Sequence, residues 1–133
     1  MATWMLVEDE PDMYTMVLAM YEIMGVHGMA FTNGNDALNW LDALDDGQIG
    51  GELPELALID IRLPGFISGP QVGARLRQSP ALRQIAIVLM TAYSLSPQQE
   101  REMVAQAGAN LLLYKPLPSH NILKQMLQEI IVH

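Results

Sequence analysis

Five polar residues each stand where an apolar run gives out: Glu8 and Asp9 after Thr3–Val7, Asp60 near the close of Leu56–Ile61, Thr91 after Ile85–Met90, and Lys115 after Leu111–Tyr114. Brought to one place, they make a defined chemistry. Three clustered carboxylates repel one another, and such a cluster persists when a divalent cation sits among them. Hard oxygen donors without His or Cys suit Mg²⁺, or Mn²⁺, rather than Zn²⁺. An Asp carboxylate that attacks phosphorus gives an acyl phosphate, which is covalent catalysis by a carboxylate nucleophile. The Lys115 ammonium neutralises a phosphoryl oxygen or, before reaction, the carboxylate itself, and the Thr91 hydroxyl offers a donor to another phosphoryl oxygen. Charge on a transferring group is then stabilised without a general base. The plain alternative for Asp60 is a local cap ahead of the Pro64-Gly65 turn, where Asp is common in any fold.

Convergence requires elements that end at one edge. Thr3–Val7 reads as a first strand, and Pro11 suits the first turn of a helix that carries Met13, Met16, Val17, Met20, Ile23 and Met24 at helical spacing up to Gly25. Val26–Phe31 is a second strand, and Asn33 introduces a helix with Ala37, Leu38, Trp40, Leu41 and Leu44 on its apolar face. Asp45–Glu55, rich in glycine and acids, is a surface loop. The strand with Asp60 follows, then a helix from Gly69 or Pro70 to Gln78, the strand Ile85–Met90, and a helix opened by Ser96-Pro97 and ended by Gly108. Leu111–Tyr114 is a fifth strand. Ser119 caps a last helix whose apolar positions are Ile122, Leu123, Met126, Leu127, Ile130 and Ile131. Strand and helix alternate throughout, which predicts an α/β fold with a doubly wound five-stranded parallel sheet covered on both faces. In such a sheet the strand C-termini share one edge, and sites form there.

Composition limits the remaining options. A chain of 133 residues that is 50% hydrophobic builds one core, so a single domain over 1–133 is expected. Cysteine is absent, which excludes disulfides and thiolate metal sites. No basic residue precedes Arg62, so a secretory signal is not expected, and the run Met13–Tyr21 is too short to span a bilayer. A soluble, cytoplasmic protein with no membrane partner is the expectation. Residues 1–61 hold twelve acids and no bases, and residues 62–133 hold seven bases and three acids, giving −12 against +4. That field repels a phosphate backbone over most of the surface, so no nucleic-acid partner is expected. Arg75, Arg77 and Arg83 read as a solvated helix face. The ten methionines lie mostly at core spacing and are assigned to packing, and His27, His120 and His133 are given no role in the chemistry.

The motifs Val-Glu-Asp-Glu (7–10), Asp-Ile-Arg-Leu-Pro-Gly (60–65), Met-Thr-Ala (90–92) and Tyr-Lys-Pro-Leu (114–117), in this order on these elements, resemble the response-regulator receiver domains of two-component signalling. The resemblance covers essentially the whole chain and implies a flavodoxin-like (βα)5 fold with strand order 2-1-3-4-5. It implies Asp60 as phosphoacceptor, Asp9 as a direct Mg²⁺ ligand, Glu8 acting on the metal through water, the backbone carbonyl of Arg62 as a further ligand, and Thr91 with Lys115 as the phosphoryl-contacting pair. The partners it implies are a histidine kinase or phosphotransfer protein upstream and a protein target downstream. A stand-alone receiver with no output domain is expected, an enzyme only in that it catalyses its own phosphorylation and dephosphorylation.

Two departures are visible. The loop after Pro64-Gly65 is one residue longer than the family's and lacks the usual acid, since Phe66-Ile67-Ser68 precede Gly69. The family's switch aromatic falls on Leu112, so the coupling of phosphorylation to partner affinity is expected to be modest, at or below about 1–3 kcal/mol. Two other classes of function are weighed. One is a receiver-like binding module independent of phosphorylation, which the complete set of site residues argues against. The other is a metal-dependent phosphatase or nuclease, whose common Asp-x-Asp is missing because Arg62 stands two residues after Asp60.

Overall fold

The computed structural model describes residues 1–131. Five strands and five helices alternate: β1 (Thr3–Val7), α1 (Pro11–Met24), β2 (His27–Phe31), α2 (Gly34–Asp45), β3 (Leu56–Asp60), α3 (Gly69–Gln78), β4 (Ala86–Thr91), α4 (Pro97–Ala107), β5 (Leu111–Tyr114) and α5 (His120–Ile130). All strand pairs are parallel, and the sheet order is β2-β1-β3-β4-β5. Every residue of β1, β3 and β4 is buried, because these three central strands are covered on both faces. β2 and β5 lie at the edges and are only partly covered.

Alternating side chains divide the core into two layers. Trp4, Leu6, Leu58, Val88 and Met90 face α1 and α5, where Val17, Tyr21, Leu123 and Leu127 meet them. Met5, Val7, Ala57, Ile59, Ile87 and Leu89 face the other way, against Ala37, Leu41, Val72, Leu76 and Ala107. Each fully buried aliphatic side chain contributes about 1.5–3 kcal/mol, so the two layers fix the register of the sheet. Asp45 still belongs to α2, and the rest of the expected loop, residues 46–55, is irregular and pinned by bonds from Thr3 to Glu52 and from Trp4 Nε1 to Glu55, both 2.8 Å.

The helices start on local chemistry. Glu10 accepts from the Asp12 and Met13 amides ahead of Pro11, Asn33 accepts from Asp36, and the pairs Ser68/Gln71 and Ser96/Gln99 form reciprocal capping boxes. Ser119 occupies the N-cap position of α5, yet its side chain makes no capping bond.

Several assignments are corrected. Met16, Ile23 and Ile122 fit the apolar periodicity of their helices but are exposed, and the position that goes inside on α1 is Tyr21. Its ring meets Trp4 edge-on at 5.6 Å and its hydroxyl donates to the Met5 carbonyl at 3.1 Å, which lets a phenol lie in the core. Burial pushes that phenol far above its usual pKa. Of the three arginines Arg83 is exposed as expected, but Arg75 and Arg77 are not a solvated face: Arg75 pairs with Asp42 and Asp45. Arg77 donates to the carbonyls of Arg83, Ile85 and Gly108 and to Asn110 Oδ1, at 2.6–3.0 Å.

Candidate functional site

The C-terminal edge of the sheet collects the residues that chemistry required. Asp60 ends β3, Glu8 and Asp9 follow β1 directly, Thr91 ends β4, and Lys115 follows β5. One carboxylate oxygen from each of Glu8, Asp9 and Asp60 lies within 4.8 Å of the other two. The Lys115 ammonium bridges two of these acids, donating to Glu8 Oε1 and to Asp60 Oδ2, both at 2.6 Å. A single cation thus holds together carboxylates from strands that are not neighbours of its own.

The three acids are not equivalent. Glu8 is fully buried and also accepts from the Glu10 amide at 3.2 Å, Asp60 is 8% exposed, and Asp9 is open to solvent. Burial raises the Glu8 pKa above its ordinary value, Lys115 opposes that, and the adjacent Asp60 raises it further. Burial alone would lower the Lys115 pKa, but the hydrogen bonds and charges of Asp60 and Glu8 together outweigh it and the pKa is raised. The second oxygen of Asp60 accepts from the Arg62 amide at 2.9 Å, which orients the carboxylate.

Thr91 is at the same edge and buried, with Oγ1 accepting from the Tyr93 amide at 3.1 Å. Among the described residues its hydroxyl bonds neither Asp60 nor Lys115. The strands tie it to both: the Lys115 amide donates to the Thr91 carbonyl at 2.8 Å, and the Ile61 amide donates to the Met90 carbonyl at 2.9 Å.

Backbone packing explains how Asp60 is presented. A Cβ at Gly69 would lie 2.1 Å from the Asp60 carbonyl oxygen, so the start of α3 rests on the main chain of Asp60 only because residue 69 has no side chain. The Gly69 amide closes the turn on the Ile61 carbonyl at 2.9 Å. In the lengthened loop, Ile67 packs on the start of α2, where a Cβ at Gly34 would stand 2.6 Å from it, and Phe66 is left 96% exposed.

Several features were not legible beforehand. The Arg62 guanidinium lies 3.9 Å over the Tyr93 ring, joining the two loops that flank Asp60. The Tyr114 hydroxyl donates to Glu100 on α4. Leu112, at the switch position, is half-buried against the layer that contains Ile87 and Leu89. His27 is exposed at the start of β2 and His120 begins α5, both apart from the acids, and His133 lies outside the described residues.

A hard divalent cation fits this donor set. The acids converge, Asp9 is open to solvent, and the Glu8 pKa is raised by burial first and by the neighbouring Asp60 as well, an unfavourable setting for its charge that a cation would relieve. No helix among the described residues is long and apolar enough to cross a membrane.

Comparison with known proteins agrees with this geometry. The sequence model of the response regulator receiver domain matches residues 5–127. The chain is 32% identical over 128 residues to a probable methanogenesis regulatory protein, FilR2, of Methanothrix harundinacea, covering 95% of this chain and 79% of that protein. It is 30% identical over 113 residues to the polar-differentiation response regulator DivK of Brucella anthropi, covering 85% and 83% of the two chains. Among solved structures, the receiver domain of the sensor histidine kinase PA1611 from Pseudomonas aeruginosa superposes with a TM-score of 0.78 at 27% identity, over 97% of this chain and 96% of that one. That structure has a magnesium ion coordinated in its active-site cleft. Fold, edge chemistry and sequence therefore agree, and the chain belongs to the response regulator receiver domains.

Proposed function

We propose that Asp60 accepts a phosphoryl group from the phosphohistidine of a histidine kinase or phosphotransfer protein. The P–N bond to imidazole breaks, a P–O bond to the Asp60 carboxylate forms, and the imidazole nitrogen leaves with the bonding pair. The observation that supports this most directly is the Lys115 bridge between Asp60 and Glu8, which places a cation where charge on a transferring phosphoryl group needs it. Lys115 can give up its bond to Asp60 Oδ2 for a phosphoryl oxygen while keeping Glu8. Thr91 supplies a second donor, and the Arg62 amide keeps the carboxylate facing the cleft.

Glu8, Asp9, Asp60 and the backbone carbonyl of Arg62 would hold Mg²⁺, or Mn²⁺. When bound, such a cation shields the acids from one another and offsets charge on the phosphoryl oxygens. Asp9, exposed and without the buried partners of Glu8, suits direct ligation, whereas Glu8 is already committed to Lys115 and the Glu10 amide. Output is by binding a downstream protein, or by drawing phosphoryl groups from a shared donor. With Leu112, half-buried against the layer of Ile87 and Leu89, in place of an aromatic ring, the coupling to partner affinity is modest, at or below about 1–3 kcal/mol.

Acetyl phosphate with Mg²⁺, followed by borohydride reduction and mass spectrometry, tests the assignment. One label on Asp60, lost in Asp60→Asn and without Mg²⁺, is expected. Undiminished labelling of Asp60→Asn refutes it.

A further inference from the structure

The loop between β3 and α3 is where the chain departs from its family, and it carries the most exposed large apolar side chain of the described residues. Phe66 is 96% exposed. The residues around it are nonetheless fixed, since Ile67 packs on the start of α2 at Gly34 and Gly69 rests on the Asp60 main chain. An aromatic ring held out on an anchored loop loses little freedom when something covers it. Rings of this kind anchor interfaces.

A lone exposed side chain is ordinary, but this one stands beside a pocket. The pocket has a volume of about 400 Å³ and is lined by Leu63, Pro70 and Met103 together with Arg62 and Gln106, and Phe66 itself forms one wall. Among the described residues no acid lines it. The Arg62 guanidinium lies over the Tyr93 ring, a contact that leaves its charge uncancelled, and among the described residues no carboxylate pairs with it. On the other flank of the loop, where Ile67 meets α2, Asp36 is exposed in the first turn, and its carboxylate accepts from the neutral Asn33 amide at 3.0 Å. The patch thus runs from a cation, across a knob and the hole beside it, to an acid.

We propose that a second copy of the chain docks on this face about a twofold axis, each Phe66 entering the partner's pocket and each Arg62 facing the partner's Asp36. A twofold contact has to be self-complementary, and a patch that holds a knob next to a hole and opposite charges on its two flanks meets that condition. A different protein would need a ring and an acid of its own, whereas a second copy has both. At a net charge of −8 two copies repel over most of their surfaces, so they approach where acids are few. One loop and three helix segments make a small contact, which gives a transient dimer. Two phenyl rings leaving water put its dissociation constant between about 10 µM and 1 mM. The contact uses none of the phosphoryl chemistry.

Sedimentation equilibrium of the native protein and its variants, up to about 1 mM, tests the surface. Native protein follows a monomer–dimer equilibrium. Phe66→Ala, a change at a solvated position that leaves the fold intact, weakens the dimer by roughly tenfold or more, because each dimer loses two covered rings. Met103→Asp puts an acid into the pocket and weakens it as much, with circular dichroism confirming that the variant is folded. Arg62→Glu and Asp36→Arg each weaken the dimer by roughly threefold, and the double variant returns to the native value. Native protein that stays monomeric at about 1 mM overturns the proposal and leaves the face to a different protein. A dimer indifferent to Phe66→Ala overturns it by placing the contact elsewhere. Species that grow beyond the dimer overturn the twofold arrangement, and a double variant as weak as the single ones overturns the pairing of Arg62 with Asp36.

Discussion

Lys115, at the C-terminal edge of the sheet, and Arg77, at the N-terminal edge, are both cations withdrawn from solvent, and their partners differ in kind. Arg77 spends its donors on the neutral carbonyls of Arg83, Ile85 and Gly108 and on Asn110. These acceptors are main-chain carbonyls, and one side-chain amide oxygen, of the segments that lead into β4 and β5, and all of them are neutral. Burial accordingly lowers its pKa. Lys115 binds two carboxylates that belong to a crowded set of three, and their pull outweighs burial and raises its pKa. A cation saturated by fixed carbonyls staples the fold, whereas a cation among acids that crowd one another can change partners, and the second arrangement is the one proposed as the site.

The largest effect tests the acids. Asp9→Asn should weaken Mg²⁺ binding by more than about a hundredfold, near 2.7 kcal/mol, while Glu8→Gln costs about tenfold. Calorimetric titration reads both, and equal losses would mean that the exposed and buried acids share one role. Next, Arg77→Ala should cost about 2–3 kcal/mol in urea unfolding, because several carbonyls lose a charged donor. Beryllofluoride affinity should stay within about twofold, since the staple is at the far edge. Arg77→Lys should recover less than half, an ammonium being unable to span the same acceptors. A fall in beryllofluoride affinity would break the separation between the two cations.

Lys115→Met should cost about 1–2 kcal/mol without metal, because two acids lose their cation, and saturating Mg²⁺ should return most of it. The sign with pH follows from the raised pKa of Lys115. Its contribution is complete below the unfolded value of 10.5 and fades as pH rises through the higher folded value. The gap between native and Lys115→Met should narrow there, and a constant gap would deny the charge its part. The smallest effect belongs to Asp45, whose pKa is lowered by Ser79 and then Arg75. Its contribution is present above the unfolded value of 3.8 and is lost as pH falls through the lower folded one. Asp45→Asn should therefore cost under about 1 kcal/mol at neutral pH and nothing in strong acid.

Particular elements show what could be read in advance. The strands β1 and β5 have the limits that the apolar runs Thr3–Val7 and Leu111–Tyr114 suggested, and α1 stops at Gly25 as expected. A buried strand must be apolar along its whole length, so its ends are written locally. Asp60, Lys115 and the acids after β1 could be picked out for the same reason: each interrupts a run that would otherwise be featureless. Tyr21 escaped because a phenol counts as half-polar until a carbonyl is found for it, and Met5 supplies one from another element. Arg77 escaped because its acceptors are main-chain atoms, which every residue has.

The amino-acid sequence by itself determined the alternation of elements, the two-sided core and the kinds of groups at the reactive edge, since these follow from periodicity and residue type. Only the tertiary structure decided which groups meet. Lys115 chooses Glu8, 107 positions away, and Asp60, 55 away, because the order β2-β1-β3-β4-β5 carries their strands to one edge. Gly69 must be glycine because α3 lands on the Asp60 main chain, and Tyr114 reaches Glu100 because β5 lies beneath α4. Such contacts are set by how strands and helices stack, and a linear pattern of polar and apolar residues does not encode distance between elements that are far apart in the chain.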